Sequence, residues 1–363
     1  MKNNKITLAV MFVSLLMPLS VSANSLRIST GLPQSHIWST SYMDVFVDQI
    51  EGSTNISFTS FYGGELVTAG RSLDALQGGL ISVAAPLLAP YHGGSFPLTD
   101  VTQLPTYDTT SQMVTNAFQS LMDSEEEIKD GKSFYEYEVE SKGIQAWAMG
   151  AIPAYSISTS KNRIISPADF SGLQLRAGSA IHTIAVEELG GTPVTMPGTG
   201  MYEGLSRGTI DGTLLSIADW PAYSLEALLK YTLTGIAFGQ WESYLAISND
   251  AWNSLDESEQ EAWDKAARAV AKSNSDHWES QSEKVKNSAA EKYDAEFLNI
   301  DEQSEELQSY VAEAAVNIWK TWVEEQERNG HPAKKTAQLY AHLILEQGGR
   351  LPEGVEEYLG IKN

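Results

Sequence analysis

Hydrophobic and polar positions alternate in short bursts through the first two-thirds of the chain, then change period. From Ser25, SLRISTGLP reads as a strand running into a turn. In SHIWSTSYMDVFVDQIEG, Trp38, Tyr42, Val45, Phe46 and Ile50 recur at helical spacing, with Gly52 at the stop. NISFTSFYGGEL predicts a strand into a Gly-Gly turn, GRSLDALQGG a short helix closed by glycine, and LISVAAPLLAP a buried strand followed by a proline-punctuated loop. GIQAWAMGAIPAYSIST holds two further strand candidates, and the charge run DSEEEIKDG between them and the start reads as a solvated face.

Two stretches echo each other. DALQGGLIS (74–82) and EGLSRGTID (203–211) share Leu-x-x-Gly-x-Ile, each reading as a helix end, a glycine stop and a following strand. The echo predicts two α/β lobes of similar build: one over 24–149 together with part of about 240–275, the other over 150–239. Beyond about residue 250 the texture is helical. DESEQEAWDKAARAV places Trp263, Ala266, Ala267 and Val270 on one stripe, and SEELQSYVAEAAVNIWKTWVEEQ does the same with Leu307, Val311, Ala314, Ala315, Ile318 and Trp322. Helices over 276–363 are expected to pack across the lobes.

Composition adds limits. The 363 residues are 42% hydrophobic and 20% charged, a globular balance long enough for two lobes. The net charge of −23 argues against nucleic acid and anionic membrane surfaces as partners. It leaves room for a small anion, because a buried site is governed by its own groups. MKNNKITLAVMFVSLLMPLSVSA has a lysine-bearing start, an apolar run and a small-residue ending, so 1–23 is expected to be a signal peptide cleaved after Ala23, placing the chain in the periplasm. No other run is apolar enough to predict stable membrane insertion. The absence of cysteine removes disulfides, thiolate nucleophiles and cysteine-based metal sites.

Catalytic signals are missing. His36, His92, His182, His277, His331 and His342 are scattered without metal spacing, and the sequence has no G-x-S-x-G, Walker or G-x-G-x-x-G frame. No catalytic residue, metal or cofactor is therefore expected, with an exported enzyme on the same scaffold the alternative class. One position does ask for an explanation. GLQLRAG (172–178) runs as a strand that ends on Arg176, beside Ala177 and Gly178, just before helical periodicity begins, and so places a cation at a strand end in an acidic chain.

From about 26 to 275 the chain resembles the extracytoplasmic solute-binding proteins of TRAP transporters, the DctP-type family. SPADFSGLQLRAG (166–178), ELGGTPVTMPGTGMYEGLSRGTIDG (188–212), KYTLTG (230–235) and AISNDAWNSLDESEQEAW (246–263) are similar to family segments in the same order, as are GGEL and GGSFPLTDVTQLP. The resemblance implies a two-lobed periplasmic-binding-protein-like fold with a ligand cleft. It further implies capture of a small organic acid and its delivery to TRAP membrane subunits. A C4-dicarboxylate or other organic-anion binder and a periplasmic sensor subunit are alternatives within the same fold.

It also implies that Arg176, the arginine of Gly-Leu-x-x-Arg, clamps the ligand carboxylate. A planar guanidinium fork suits that task; pairing with a structural carboxylate is the competing role. Leu215 stands where many family members carry an asparagine, and Gly198 where sugar-acid binders carry phenylalanine. Tyr155 or Ser156 stands where those binders carry a second arginine. These departures predict an apolar wall with extra room, hence a monocarboxylate with an apolar or aromatic body. Arg71, Trp38, Tyr91, Trp147 and Tyr155 are further candidates to line the cleft, against solvated surface for Arg71 and core packing for the aromatics.

Overall fold

The computed structural model describes residues 25–92 and 94–361, so the expected signal peptide and its cleavage site lie outside the described residues. Among the described residues eleven strands form two sheets. In chain order they are β1 (Ser25–Ser29), β2 (Ser57–Phe61), β3 (Val83–Leu87), β4 (Ile144–Ala148), β5 (Tyr155–Thr159), β6 (Gln174–Ala177), β7 (Thr192–Thr195), β8 (Gly212–Ser216), β9 (Tyr231–Thr234), β10 (Tyr244–Ser248) and β11 (Glu296–Asn299). The first sheet runs β2-β1-β3-β10-β4 and the second β11-β9-β5-β8-β6-β7.

The sequence echo is a structural repeat. β1 lies between parallel partners β2 and β3, and β6 lies between parallel partners β7 and β8, so each lobe opens with the same 2-1-3 order. The echoed segments are the helices Ser72–Gln77 and Met201–Arg207, stopped by Gly79 and Gly208 at φ +68 and +70 before β3 and β8. Glycine is favoured at both stops because a left-handed conformation costs a residue with a Cβ extra energy. Leu76, Leu205, Ile81 and Ile210 are all buried.

Each sheet receives a strand from beyond the other lobe. β4 leads into β5, and β9 into β10, through two adjacent crossing segments. These segments pair antiparallel: Met149 N–H donates to Ser243 O (3.1 Å), Ile152 N–H to Trp241 O (2.9 Å) and Tyr155 N–H to Gly239 O (3.0 Å). The helix Glu257–Tyr293 starts from a complete capping box at Asp256 and Glu259 and runs past both crossings. Helix Glu305–Arg328 packs on the second lobe's helix Ala180–Glu188, while helix Ala333–Glu346 packs on the first lobe's Ser111–Asp123. The segment 276–363 is not wholly helical, however. β11 lies within it and adds a parallel edge to β9, extending the second sheet. Four residues in a polar context, EFLN, carry too little alternation to be read as a strand. No helix among the described residues is long and apolar enough to cross a membrane.

Candidate functional site

The two sheets turn the carboxyl ends of their parallel strands toward each other. Gly31–Pro33 after β1, Gly63 and Gly64 after β2, and Pro90 and Tyr91 after β3 face Gly178–Ala180 after β6 and Thr195–Thr199 after β7 across a cleft of about 810 Å³. In open α/β sheets such a crevice forms where successive connections leave a strand in opposite directions. β1 and β6 are those strands here. The turns can pack this closely because they are rich in glycine; a Cβ at Gly31 would fall 2.6 Å from the backbone nitrogen of Ala69.

Arg176 stands at the end of β6, in register with Val194 of β7 and Thr213 of β8. It is 3% exposed. Its Nε donates to Met196 O (3.1 Å) and its Nη1 to Leu214 O (3.4 Å), and it forms no ion pair among the described residues. The side chain folds back over Gly178, where a Cβ would meet Nη2 at 2.6 Å. Two carbonyls leave the charge of a buried guanidinium largely uncompensated, which is costly unless an anion completes the arrangement.

Behind the cleft, Arg176 faces a chamber of about 30 Å³ that it shares with Tyr155, Leu215, Trp241, His36 and Asp219. That is room for little more than a water molecule. Leu32, Tyr91, Gly198 and Tyr223 line both spaces, so the chamber and the cleft adjoin there. Relative movement of the lobes would widen this space for a bulkier occupant.

Next to the chamber, though not on its lining, lies His182, behind Tyr155. His182 is buried with neither ring nitrogen hydrogen-bonded, and its ring stacks on Tyr155 at 4.8 Å. Burial, reinforced by the charge of Arg176, pushes its pKa down to about 3, so the imidazole is neutral. Burial pushes the phenols of Tyr155 and Tyr223 up, with Asp219 adding to the effect, so both stay protonated. Trp241 presents a buried indole N–H with no hydrogen-bond partner. The chamber lining therefore carries one cation, Arg176, one acid, Asp219, and neutral donors in the phenols of Tyr155 and Tyr223 and the indole of Trp241.

The residues expected from sequence divide as follows. Arg176, Leu215, Gly198, Tyr155, Tyr91 and Trp38 line the chamber, Trp38 also donating its indole N–H to Gly150 O at 2.8 Å. Ser156 is buried but lines neither space; neighbours on a strand point to opposite faces, and Tyr155 takes the chamber side. Arg71 does not reach the cleft. Its side chain is 75% exposed and pairs with Asp74 three residues on, at 2.9 Å. Trp147 is core: it packs on Trp252 and Trp263 and donates to Asp264 Oδ1 at 2.8 Å. The extra room expected from Gly198 is also absent. A Cβ there would fall 2.8 Å from the ring of Tyr223, which fills the space.

His36, Asp219, Tyr223 and Trp241 complete the chamber without having been singled out. Asp219 had a signal, a lone acid in the otherwise uncharged run LLSIADWP that begins within β8. Among the described residues no cluster of three His, Asp or Glu side chains could hold a metal ion.

The chain matches the DctP family, described as bacterial extracellular solute-binding protein, family 7, over residues 28–326. No curated protein matches it. Its fold is similar to several solved structures. A TRAP solute-binding protein from a marine metagenome, specific for aromatic acid ligands and in complex with metahydroxyphenylacetate, is 19% identical with a TM-score of 0.78, over 89% of this chain and 99% of that one. A TRAP solute-binding protein from Rhodoferax ferrireducens with copurified benzoate is 19% identical with a TM-score of 0.76, over 89% and 98%. One from Bordetella bronchiseptica with bound (R)- and (S)-mandelate is 17% identical with a TM-score of 0.73, over 89% and 99%.

Proposed function

Because the chain belongs to family 7 of the bacterial extracellular solute-binding proteins, we propose that it captures a small organic acid in the periplasm and delivers it to the membrane subunits of a TRAP transporter. The favoured ligand is a monocarboxylate with an apolar or aromatic body. The observation that carries this reading is the buried guanidinium of Arg176, which faces the chamber between the lobes with carbonyl partners only. A carboxylate supplies the direct ion pair that Arg176 lacks, and the fork of N–H groups donates to it bidentately. Trp241 N–H provides a further donor. Leu32, Leu88, Ile152, Leu215 and the aromatic rings around them suit an apolar body and offer no second cation. The aromatic acids bound by the three similar proteins agree with this preference.

Binding proceeds by population shift: an acid that touches both lobes stabilises their closed arrangement, and excluding water strengthens the pair with Arg176. A thermal-shift screen of organic acids, followed by calorimetry, tests the reading. Aliphatic or aromatic monoacids should raise the melting temperature and lose this effect in Arg176→Met, with the acid recovered unchanged. Tight binding of succinate or malate alongside indifference to monoacids overturns the favoured ligand class.

A further inference from the structure

Asp219 is an unexpected wall for a chamber that receives acids. It lies in the second lobe just after β8, is 2% exposed, and lines the same chamber as Arg176. Its Oδ1 is buried and makes no hydrogen bond. His36 of the first lobe brings its Nε2 within 3.3 Å of that oxygen, but off the line a hydrogen bond requires. The backbone N–H of Trp38 donates to His36 Nδ1 at 3.1 Å, so Nδ1 is an acceptor and Nε2 is the nitrogen that carries a proton toward Asp219. A second proton on this ring would break that bond.

The charges of the chamber can then be counted. Arg176 contributes one positive charge and Asp219 one negative charge. The phenols of Tyr155 and Tyr223 stay protonated, and His182 behind Tyr155 is held neutral. An occupant bearing only a carboxylate satisfies Arg176 and leaves Asp219 buried beside a second anion. An occupant that also bears a hydrogen-bond donor satisfies both ends, and a cationic donor restores neutrality.

We propose that Asp219 is a specificity-determining residue that accepts from a donor group next to the ligand's carboxylate, taking an ammonium in preference to a hydroxyl. The inference rests on the organic-acid reading above and narrows it to apolar 2-amino acids, with 2-hydroxy acids as weaker ligands. His36 brings the first lobe to the same carboxylate, so the donor group is read where the lobes meet.

Calorimetry on the full chain tests this with two matched trios. These are leucine, 2-hydroxy-4-methylpentanoate and 4-methylpentanoate, then phenylalanine, 3-phenyllactate and 3-phenylpropanoate. In at least one trio the amino acid should bind tightest and the unsubstituted acid weakest. Asp219→Asn should cut the amino acid's advantage by about tenfold or more, the loss of one charge-assisted hydrogen bond. The unsubstituted acid should hold its affinity or gain. Unsubstituted acids that bind as tightly as their amino partners overturn the inference, and that ranking needs no variant to fold. Equal losses for all three members in Asp219→Asn overturn it too, because a merely structural carboxylate behaves that way. If all six fail while another carboxylate binds in an Arg176-dependent manner, Asp219 has no such role and the organic-acid reading stands. If no carboxylate binds at all, both fall.

Discussion

The guanidinium of Arg176 rests against the α-carbon of Gly178, two residues further along the same chain, where a Cβ would sit 2.6 Å from Nη2 and 2.8 Å from Nη1. The glycine that ends GLQLRAG is therefore part of the cation's seat. Its φ is one that other residues adopt readily, so adding a methyl group strains the side chain above it and not the backbone. Gly178→Ala should displace the fork and weaken acid binding by roughly tenfold or more, since a charge-assisted bond depends on its geometry. The unliganded melting temperature should change little, because the displaced group ends a flexible chain. Calorimetry paired with a thermal melt checks both halves; wild-type affinity in this variant would mean that the observed fold-back is not the binding conformation.

Arg176→Met keeps most of the buried stem and removes the fork. Ligand binding should lose about 2–4 kcal/mol, roughly 30- to 1,000-fold in Kd. Arg176→Lys should recover only part of that loss, since an ammonium cannot reproduce a planar two-point contact. Titration of both variants with the best acid from the screen measures this. A lysine variant equal to wild type would show that charge alone, without geometry, does the holding.

Tyr223 closes over Gly198, with the ring 2.8 Å from where a Cβ would stand. Tyr223→Ala should merge the chamber of about 30 Å³ with the cleft of about 810 Å³ and favour bulkier acids over small ones. Gly198→Ala should press the ring inward and weaken every acid. Competition between benzoate and a two-ring carboxylate such as naphthoate reads the first effect. An unchanged preference in Tyr223→Ala would remove the ring from the role of partition.

Arg176 stands out in the sequence because a cation at a strand end, next to a turn, is a local feature, but its role as a clamp comes from the family resemblance and not from that feature. The repeat could be found because glycine stops and the buried leucine and isoleucine around them recur in order. His36 and Asp219 could not be paired in advance: their contact exists only after two lobes built from distant segments come together. Trp147 shows a different limit. An aromatic on a buried strand has two apolar destinations, and alternation alone does not say whether the ring meets the cleft or the helix Glu257–Tyr293. For Arg71 the decisive partner, Asp74, was only three residues away, and a neighbouring carboxylate on a short helix holds an exposed arginine to the surface. Gly198 carries the remaining lesson. A glycine removes a side chain but does not reserve the space, which a residue from elsewhere can fill.

Gln103, in the segment before helix Ser111–Asp123, accepts a hydrogen bond from the hydroxyl of Ser179 at the start of the second lobe's helix Ala180–Glu188. Both side chains are buried. This bond ties the first lobe's scaffold to the loop that follows Arg176. Gln103→Ala removes it while sparing the cap that Ser179 gives to His182 N–H. The open arrangement should become more populated and affinity should fall by a few-fold, about the effect of losing one neutral hydrogen bond of roughly 1 kcal/mol. Small-angle scattering without ligand should report a larger mean dimension. Identical scattering and identical affinity would show that this contact does not bias closure.

Three carboxyl groups in the first lobe and at the crossing make stability depend on pH. Burial pushes Asp100 up to about 7 and Glu138 and Glu242 up to about 8, from ordinary values of 3.8 and 4.5. Glu242 is the most telling, because its Oε1 accepts from Met149 N–H (3.1 Å) and Ser243 N–H (2.9 Å), one on each crossing segment, while Oε2 has no partner. With the folded pKa raised, the folded chain keeps protons that the unfolded chain has released. These groups therefore stabilise fully below their unfolded pKa, and the contribution is lost as pH rises through 7 to 8. His182 acts in the opposite sense: held neutral with a pKa near 3, it favours folding above 6.5 and loses that contribution as the solution becomes more acidic. The carboxyl effect is thus seen by itself only above pH 6.5. Between pH 6.5 and 8.5 the melting temperature of the unliganded chain should fall, and Glu242→Gln, which removes the titration but keeps an acceptor for the two N–H groups, should flatten that slope. A melting temperature that holds steady or rises across this interval, or a slope unchanged in Glu242→Gln, would show that the crossing carboxyl is already ionised in the folded chain.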